Sequence, residues 1–125
     1  MSTYIVLKGK SIKDDCTTLN VQLHKTVRLR GDWEVGVVSA VLDVKDATLL
    51  WLFCDVVDYS VVNNLSLQLL DIVPSGIKKN AKPMYVKVIK KTFSSINVDI
   101  QKEANKDELI TGDKEIIIVL HFRKA

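Results

Sequence analysis

Residues able to do catalytic or metal chemistry are few and scattered in this sequence. Two cysteines, Cys16 and Cys54, and two histidines, His24 and His121, lie far apart along the chain. They have none of the spacings that are typical of a zinc site. No Ser/His/Asp set, no Cys/His pair and no glycine-rich phosphate loop is visible. The sequence therefore predicts a protein that is not an enzyme and that uses no metal or cofactor.

Three carboxylates are the remaining candidates for acid–base or metal chemistry. Asp55, Asp58 and Asp71 lie at or near the ends of predicted strands. They lack the spacing of a calcium-binding loop. We interpret them as turn-forming acids, because Asp readily adopts the backbone angles of tight turns.

Lysines are concentrated in one part of the chain. The formal net charge is only +3, but no acidic residue occurs between Ile72 and Val98. The lysines of this segment are Lys78, Lys79, Lys82, Lys87, Lys90 and Lys91. Such a cluster predicts contact with DNA, because each lysine at a phosphate displaces counterions. The alternative is a solvated loop and edge strand whose lysines oppose edge-to-edge aggregation, and few aromatic residues are present for base stacking.

The triplet Arg30-Gly31-Asp32 spells a tripeptide known for integrin binding. It is a candidate receptor-binding triplet. The alternative, which we favour, is a chance triplet in a tight turn, because Gly supplies the turn and Asp often precedes a strand.

The elements that position these residues read as strands. Apolar residues alternate with polar ones over 19–23, 65–69, 84–88 and 96–100, which is the period of a strand with one buried face. Over 116–123 the alternation appears only at the end, at His121 and Arg123. The segments Trp33–Leu42 and 49–57 are apolar on both faces, which favours central strands. A short helix over 45–53 is the open alternative there. About eight strands with short connections predict a single domain over residues 1–125, an all-β, eight-stranded β-sandwich with the strand number of a single jelly roll.

Apolar residues exceed what a small sandwich needs for its interior. The surplus residues are Leu42, Val44, Leu50, Leu52, Val61, Val62, Ile117 and Val119. Surplus apolar faces predict a subunit interface. The alternative, to which we give equal weight, is that these strands are covered on both sides by other parts of the same chain.

One block, residues 29–37, has a defined architectural interpretation. Gly31 permits a sharp turn, and Trp33 and Val35 then point into the core. Glu34 points the opposite way, and Gly36 allows a neighbouring segment to approach closely.

This block resembles a motif of the penton-like, minor-capsid single jelly-roll proteins of Polinton (Maverick) elements and adintoviruses. The matching residues are Leu29-Arg30-Gly31-Asp32-Trp33-Glu34-Val35-Gly36-Val37. The order of the later segments is also similar to that family. These segments are Phe53–Val57, Leu69–Val73, Lys82–Val88, Phe93–Ile100 and His121–Arg123.

The resemblance implies a structural virion protein, a penton-like capsid subunit that self-associates into a ring with five copies at a capsid vertex. It implies other capsid proteins as partners, and a location in the virion and, during assembly, in the host cytoplasm or nucleus. The N-terminus, Met1–Tyr4, has no signal-peptide layout, and no apolar run reaches the length of about 18 residues that a membrane helix requires. The alternative function is a β-sandwich module, including a host-adopted copy, that binds nucleic acid or protein through Lys78–Lys91.

Overall fold

The computed structural model describes residues 2–10, 18–42, 49–62, 65–74, 76–79, 82–102 and 115–125. Every regular element in these ranges is a β-strand. The strands are β1 (Ser2–Lys10), β2 (Thr18–Arg28), β3 (Trp33–Leu42), β4 (Leu49–Cys54), β5 (Ser60–Val62), β6 (Leu65–Leu67), β7 (Leu69–Pro74), β8 (Gly76–Lys79), β9 (Val86–Lys87), β10 (Thr92–Lys102) and β11 (Glu115–Lys124). The predicted all-β class is confirmed.

Two antiparallel sheets contain most of these strands. Sheet A has the order β1-β11-β3-β8, and the short strand β9 also pairs with β3. Sheet B has the order β2-β10-β4-β7. Strands β5 and β6 pair only with each other within the described ranges. Neighbours in the sheets are thus mostly distant in sequence.

Buried residues of both sheets form one hydrophobic core, as in a β-sandwich. On β10, Ile96, Val98 and Ile100 are buried while Asn97 and Asp99 are not, as the alternation predicts. Ile118 and Leu120 of β11 are fully buried. Phe93 of β10 lies against Phe122 of β11, with ring centroids 5.9 Å apart, so a pair of aromatic rings joins the two sheets.

The described ranges contain eleven strands rather than the predicted eight, and β5, β6 and β9 are only two or three residues long. The alternating segment 65–69 is split between β6 and β7 at Gln68. The main-chain carbonyl of Gln68 accepts a hydrogen bond from Cys54 N, and its side-chain amide donates to two other carbonyls. The open helix alternative over 45–53 is excluded for its second half, because Leu49–Cys54 is strand β4.

The surplus apolar residues have different locations. Leu42, Leu50 and Leu52 are core residues, at most 1% exposed, so the prediction of an interface is wrong for them. Ile117 and Val119 are half-buried, and Val61 is exposed. Val44 and the side chain of Val62 lie outside the described part of the chain.

Candidate functional site

The block that carries the family resemblance is built as its residues predict. Gly31 has a φ of 84°, which an L-residue with a side chain rarely adopts. Trp33 is buried in the core, and its indole Nε1 donates a hydrogen bond of 2.8 Å to the Arg30 carbonyl. Val35 is fully buried. A Cβ on Gly36 would lie 3.0 Å from the Met84 carbonyl oxygen, so the absence of a side chain lets the following segment cross here.

The Arg30-Gly31-Asp32 triplet forms an exposed turn. The Arg30 carbonyl accepts the indole N–H of Trp33, and the Asp32 carbonyl accepts the main-chain N–H of Ala125 at 3.0 Å. The turn is therefore held to β3 and to the end of β11. This geometry is what the turn interpretation of the triplet requires.

The lysines of the predicted cluster are spread along the segment that runs from β8 of sheet A to the start of β10 in sheet B. Lys82, Lys87, Lys90 and Lys91 are exposed. Lys78 and Lys79 belong to β8, which pairs with β3, and their side chains lie outside the described part of the structure. The lysines are thus distributed along a path between the two sheets rather than along one strand.

Two arginines lie next to the last of these lysines. The Leu29 N–H donates to the Lys91 carbonyl at 2.8 Å, and Arg28 pairs with Thr92 across β2 and β10. The exposed residues Arg28 and Arg30 therefore flank the backbone of Lys91. This juxtaposition has no local sequence signal, because the pairing of distant strands produces it. Lys90 is partly offset, since its Nζ lies 3.8 Å from Asp55 Oδ2.

An aromatic cluster lies on the outer face of sheet A. Tyr4 and His121 are register partners and stack with ring centroids 4.5 Å apart. The Tyr85 hydroxyl and His121 Nδ1 share a hydrogen bond of 2.8 Å. The Arg123 guanidinium lies 3.5 Å from the Tyr85 ring centroid and binds Glu34 at 2.6 Å. His121 is half-buried, and its other nitrogen, Nε2, is buried with no hydrogen-bond partner in the described ranges.

Gly36 explains why this cluster can form. It is the register partner of His121 on β3, so Tyr4, His121 and Gly36 make one row across sheet A. Because Gly36 leaves the row without a third side chain, Tyr85 occupies the space above it.

Next to the cluster, the outer face of sheet A is apolar. Tyr4 and Val6 of β1 are 62% and 56% exposed. Val119 of β11 pairs with Val6, and Ile117 is the outward-facing residue that precedes Val119 on the same strand. Val119 and Ile117 are both half-buried. In the described part of the chain β1 pairs only with β11, so its other edge has no strand beside it. This surface combines apolar side chains with an unpaired edge.

A cleft of about 410 Å³ lies on the outer face of sheet B. Outward residues of β4 and β10 form its floor, and the segment around the β5–β6 hairpin forms its wall. Its lining residues are Phe53, Cys54, Asp55, Tyr59, Ser66, Leu67, Gln68, Asn97, Asp99 and Gln101. No described Lys, Arg or His lines it. The alternation of Asn97, Asp99 and Gln101 is a local signal of a polar outer face, but the hairpin wall is not predictable from it.

Two residues that line this cleft have amide oxygens without a hydrogen-bond partner among the described residues. Asn97 Oδ1 and Gln101 Oε1 are both buried and unsatisfied within the described structure. Gln101 is only 8% exposed although it points outward from the sheet. Gln68, in contrast, donates hydrogen bonds to the carbonyls of Asp55 and Val57 at 3.2 and 2.9 Å.

The cysteine and the acidic residues of the described ranges are weaker candidates for a functional site. Cys54 is a buried free thiol, and burial raises its pKa to about 12, so it is poorly suited to act as a nucleophile. Cys16 lies outside the described residues. No group of three or more His, Cys, Asp and Glu in the described ranges is arranged to hold a metal ion. Nor do these ranges contain a helix with the length and hydropathy to cross a bilayer.

Comparison of the chain with protein-family models, curated proteins and solved structures finds no match.

Proposed function

We propose that the protein is a structural assembly subunit, a single jelly-roll domain that self-associates into a ring in the manner of a penton-like minor capsid protein. The observation that carries the proposal is the outer surface of sheet A, where exposed Tyr4 and Val6 lie on a strand whose second edge pairs with no other strand of the described ranges. The capsid role itself rests on the sequence resemblance of residues 29–37.

The order of strand pairing supports the jelly-roll part of this proposal. β1 pairs with β11, β2 with β10, β3 with β8, and β4 with β7. This nesting is what a long antiparallel ribbon produces when it folds back on itself. The further pairs β11–β3 and β10–β4 are those that form when such a ribbon rolls into two sheets.

The chemistry of β1 supports self-association. Exposed edge strands pair readily with other chains, and monomeric proteins usually protect them with charges, prolines or bulges. The middle of β1, from Tyr4 to Leu7, carries no charge, and its lysines, Lys8 and Lys10, stand only near its end. In a head-to-tail contact, the edge of one copy binds a different surface of the next copy. Such contacts form a closed ring when the rotation between neighbouring copies divides a full turn evenly.

The test is the solution mass by light scattering over a concentration series, with two matched variants. Val6→Lys places a charge on the outer face of sheet A. Val61→Lys makes the same change at a more exposed valine, on β5. We expect a discrete ring mass for the unmodified chain, a dissociation constant at least tenfold higher for Val6→Lys, and no change for Val61→Lys. A monomer at every concentration, or equal effects of the two variants, contradicts the proposal.

A second candidate function is nucleic-acid binding at the end of the sandwich where Arg28 and Arg30 flank Lys91. Four basic residues, including Lys90, meet there from two separate segments. Phosphate contacts by such a group weaken steeply as salt concentration rises. A binding titration of the chain with duplex DNA at several salt concentrations separates this function from assembly alone.

A further inference from the structure

We propose that the cleft on the outer face of sheet B is a binding site for a neutral saccharide. This site is separate from the assembly surface, because it lies on the other sheet and shares no residue with β1 or β11. The proposal therefore stands or falls independently of ring formation.

The unsatisfied amides are the observation that points to a ligand. Most buried polar atoms in native proteins have a hydrogen-bond partner, so each exception requires an explanation. Gln101 is more than nine-tenths buried, lines the cleft and has an amide oxygen with no partner in the described chain. Asn97, two outward positions earlier on β10, repeats the arrangement. Neither oxygen is reached by solvent in this conformation, so a ligand supplies the missing partners once the amide group rotates toward the cleft.

The mixture of polar groups favours hydroxyls over a cation. Amide side chains present an acceptor and two donors each, and Ser66 and Tyr59 add hydroxyls that both donate and accept. A sugar hydroxyl also both donates and accepts, so it matches this mixture, whereas an ammonium or guanidinium group only donates. One of the two carboxylates, Asp55, already accepts the Asn97 N–H at 3.1 Å and faces Lys90. Its negative charge is thereby partly neutralised.

The carboxylates also exclude an anionic ligand. Asp55 and Asp99 both line the cleft, and Lys90 offsets the charge of Asp55 only in part. A phosphate or carboxylate ligand therefore meets like charge there.

Aromatic residues provide the apolar part of the site. Tyr59 is 57% exposed at the rim of the cleft, and Phe53 is nearly buried in its floor. Ligand sites typically combine such apolar surface with a few placed polar groups that fix orientation. A pyranose ring has this dual character, with C–H groups on its faces and hydroxyls around its edge.

The spacing of the polar side chains indicates more than one sugar unit. Asn97, Asp99 and Gln101 are alternate residues of one strand, so the row spans about 13 Å at about 3.3 Å per residue. That row is longer than a single pyranose ring. We therefore expect a short oligosaccharide to bind more tightly than its monosaccharide.

The experiment is saturation-transfer NMR on the full chain. The probes are the methyl glycosides of glucose, galactose, mannose and N-acetylglucosamine at about 10 mM, enough to detect millimolar dissociation constants. Maltotriose, cellotriose and mannotriose follow, and spermidine serves as the cationic probe. We expect transfer from at least one saccharide and tighter binding of the matching oligosaccharide.

Two variants locate the binding. Gln101→Met removes the unsatisfied amide at nearly constant volume, and Tyr59→Ala removes the ring at the rim. Each is expected to raise the saccharide dissociation constant at least tenfold. Ile89→Ala, a truncation of an exposed apolar residue that lines neither the cleft nor the assembly surface, is the control and leaves binding unchanged.

Several outcomes overturn the proposal. These are no transfer from any saccharide, binding that Gln101→Met and Tyr59→Ala both leave intact, or binding of spermidine in preference to all sugars. The last result assigns the cleft to cations instead.

Discussion

The same substitution at two glutamines of the cleft is expected to have opposite effects on stability. Gln101 is nearly buried with an unsatisfied oxygen, and removing such a group recovers a desolvation cost of about 1–3 kcal/mol. Gln101→Met should therefore raise the free energy of unfolding by about 1 kcal/mol or more. Gln68 donates hydrogen bonds to the carbonyls of Asp55 and Val57. Gln68→Met should lower the free energy of unfolding by about 1–3 kcal/mol, the net value of two hydrogen bonds.

Urea denaturation followed by tryptophan fluorescence measures this difference. With an m-value of about 2 kcal/mol per molar urea, the two variants should have midpoints separated by about 1–2 M, on opposite sides of the unmodified protein. Met replaces Gln at similar volume in both variants, so general packing changes are matched. A loss of stability in Gln101→Met refutes the reasoning, because it means that the Gln101 amide stabilises the fold without a ligand.

The remaining predictions concern the outer face of sheet A, the buried thiol and the basic end. Gly36→Val should destabilise the fold by about 1–3 kcal/mol through overpacking and should displace Tyr85, which is measurable as a loss of near-ultraviolet circular dichroism. For Cys54, burial raises the folded pKa from 9.0 to about 12, so the unfolded chain ionises first as pH rises. Stability present below pH 9.0 is then lost by up to about 1.4 kcal/mol per unit between pH 9.0 and about 12, and Cys54→Ala should lack this contribution in denaturation at pH 8 and 10. If duplex DNA binds at the basic end, Lys90→Ala with Lys91→Ala should reduce the slope of log affinity against log salt by about 1–2, and an unchanged slope contradicts contact there.

Local sequence predicted the elements well where one face is buried. Strands have a side-chain period of two, so the alternation in 96–100 marks the core face before any fold is known. In 116–120 every residue is apolar, and only the structure shows which of them are buried. Gly31 and Trp33 were predictable for a similar reason, since a turn and a large apolar side chain are local properties. The prediction was less accurate at Leu65–Leu69, where the hydrogen bonds of Gln68 interrupt the strand.

The tertiary structure alone decided which residues meet. The row of Tyr4, His121 and Gly36 joins strands from the two ends and the first third of the chain, and Tyr85 completes it from a fourth segment. The cleft likewise requires the β5–β6 wall to lie against β10. Periodicity indicates which face of a strand is buried. It does not indicate which strands are neighbours, because all strands with the same alternation are equivalent partners in this respect. The choice of neighbours depends on contacts between distant segments, and the whole core selects them together.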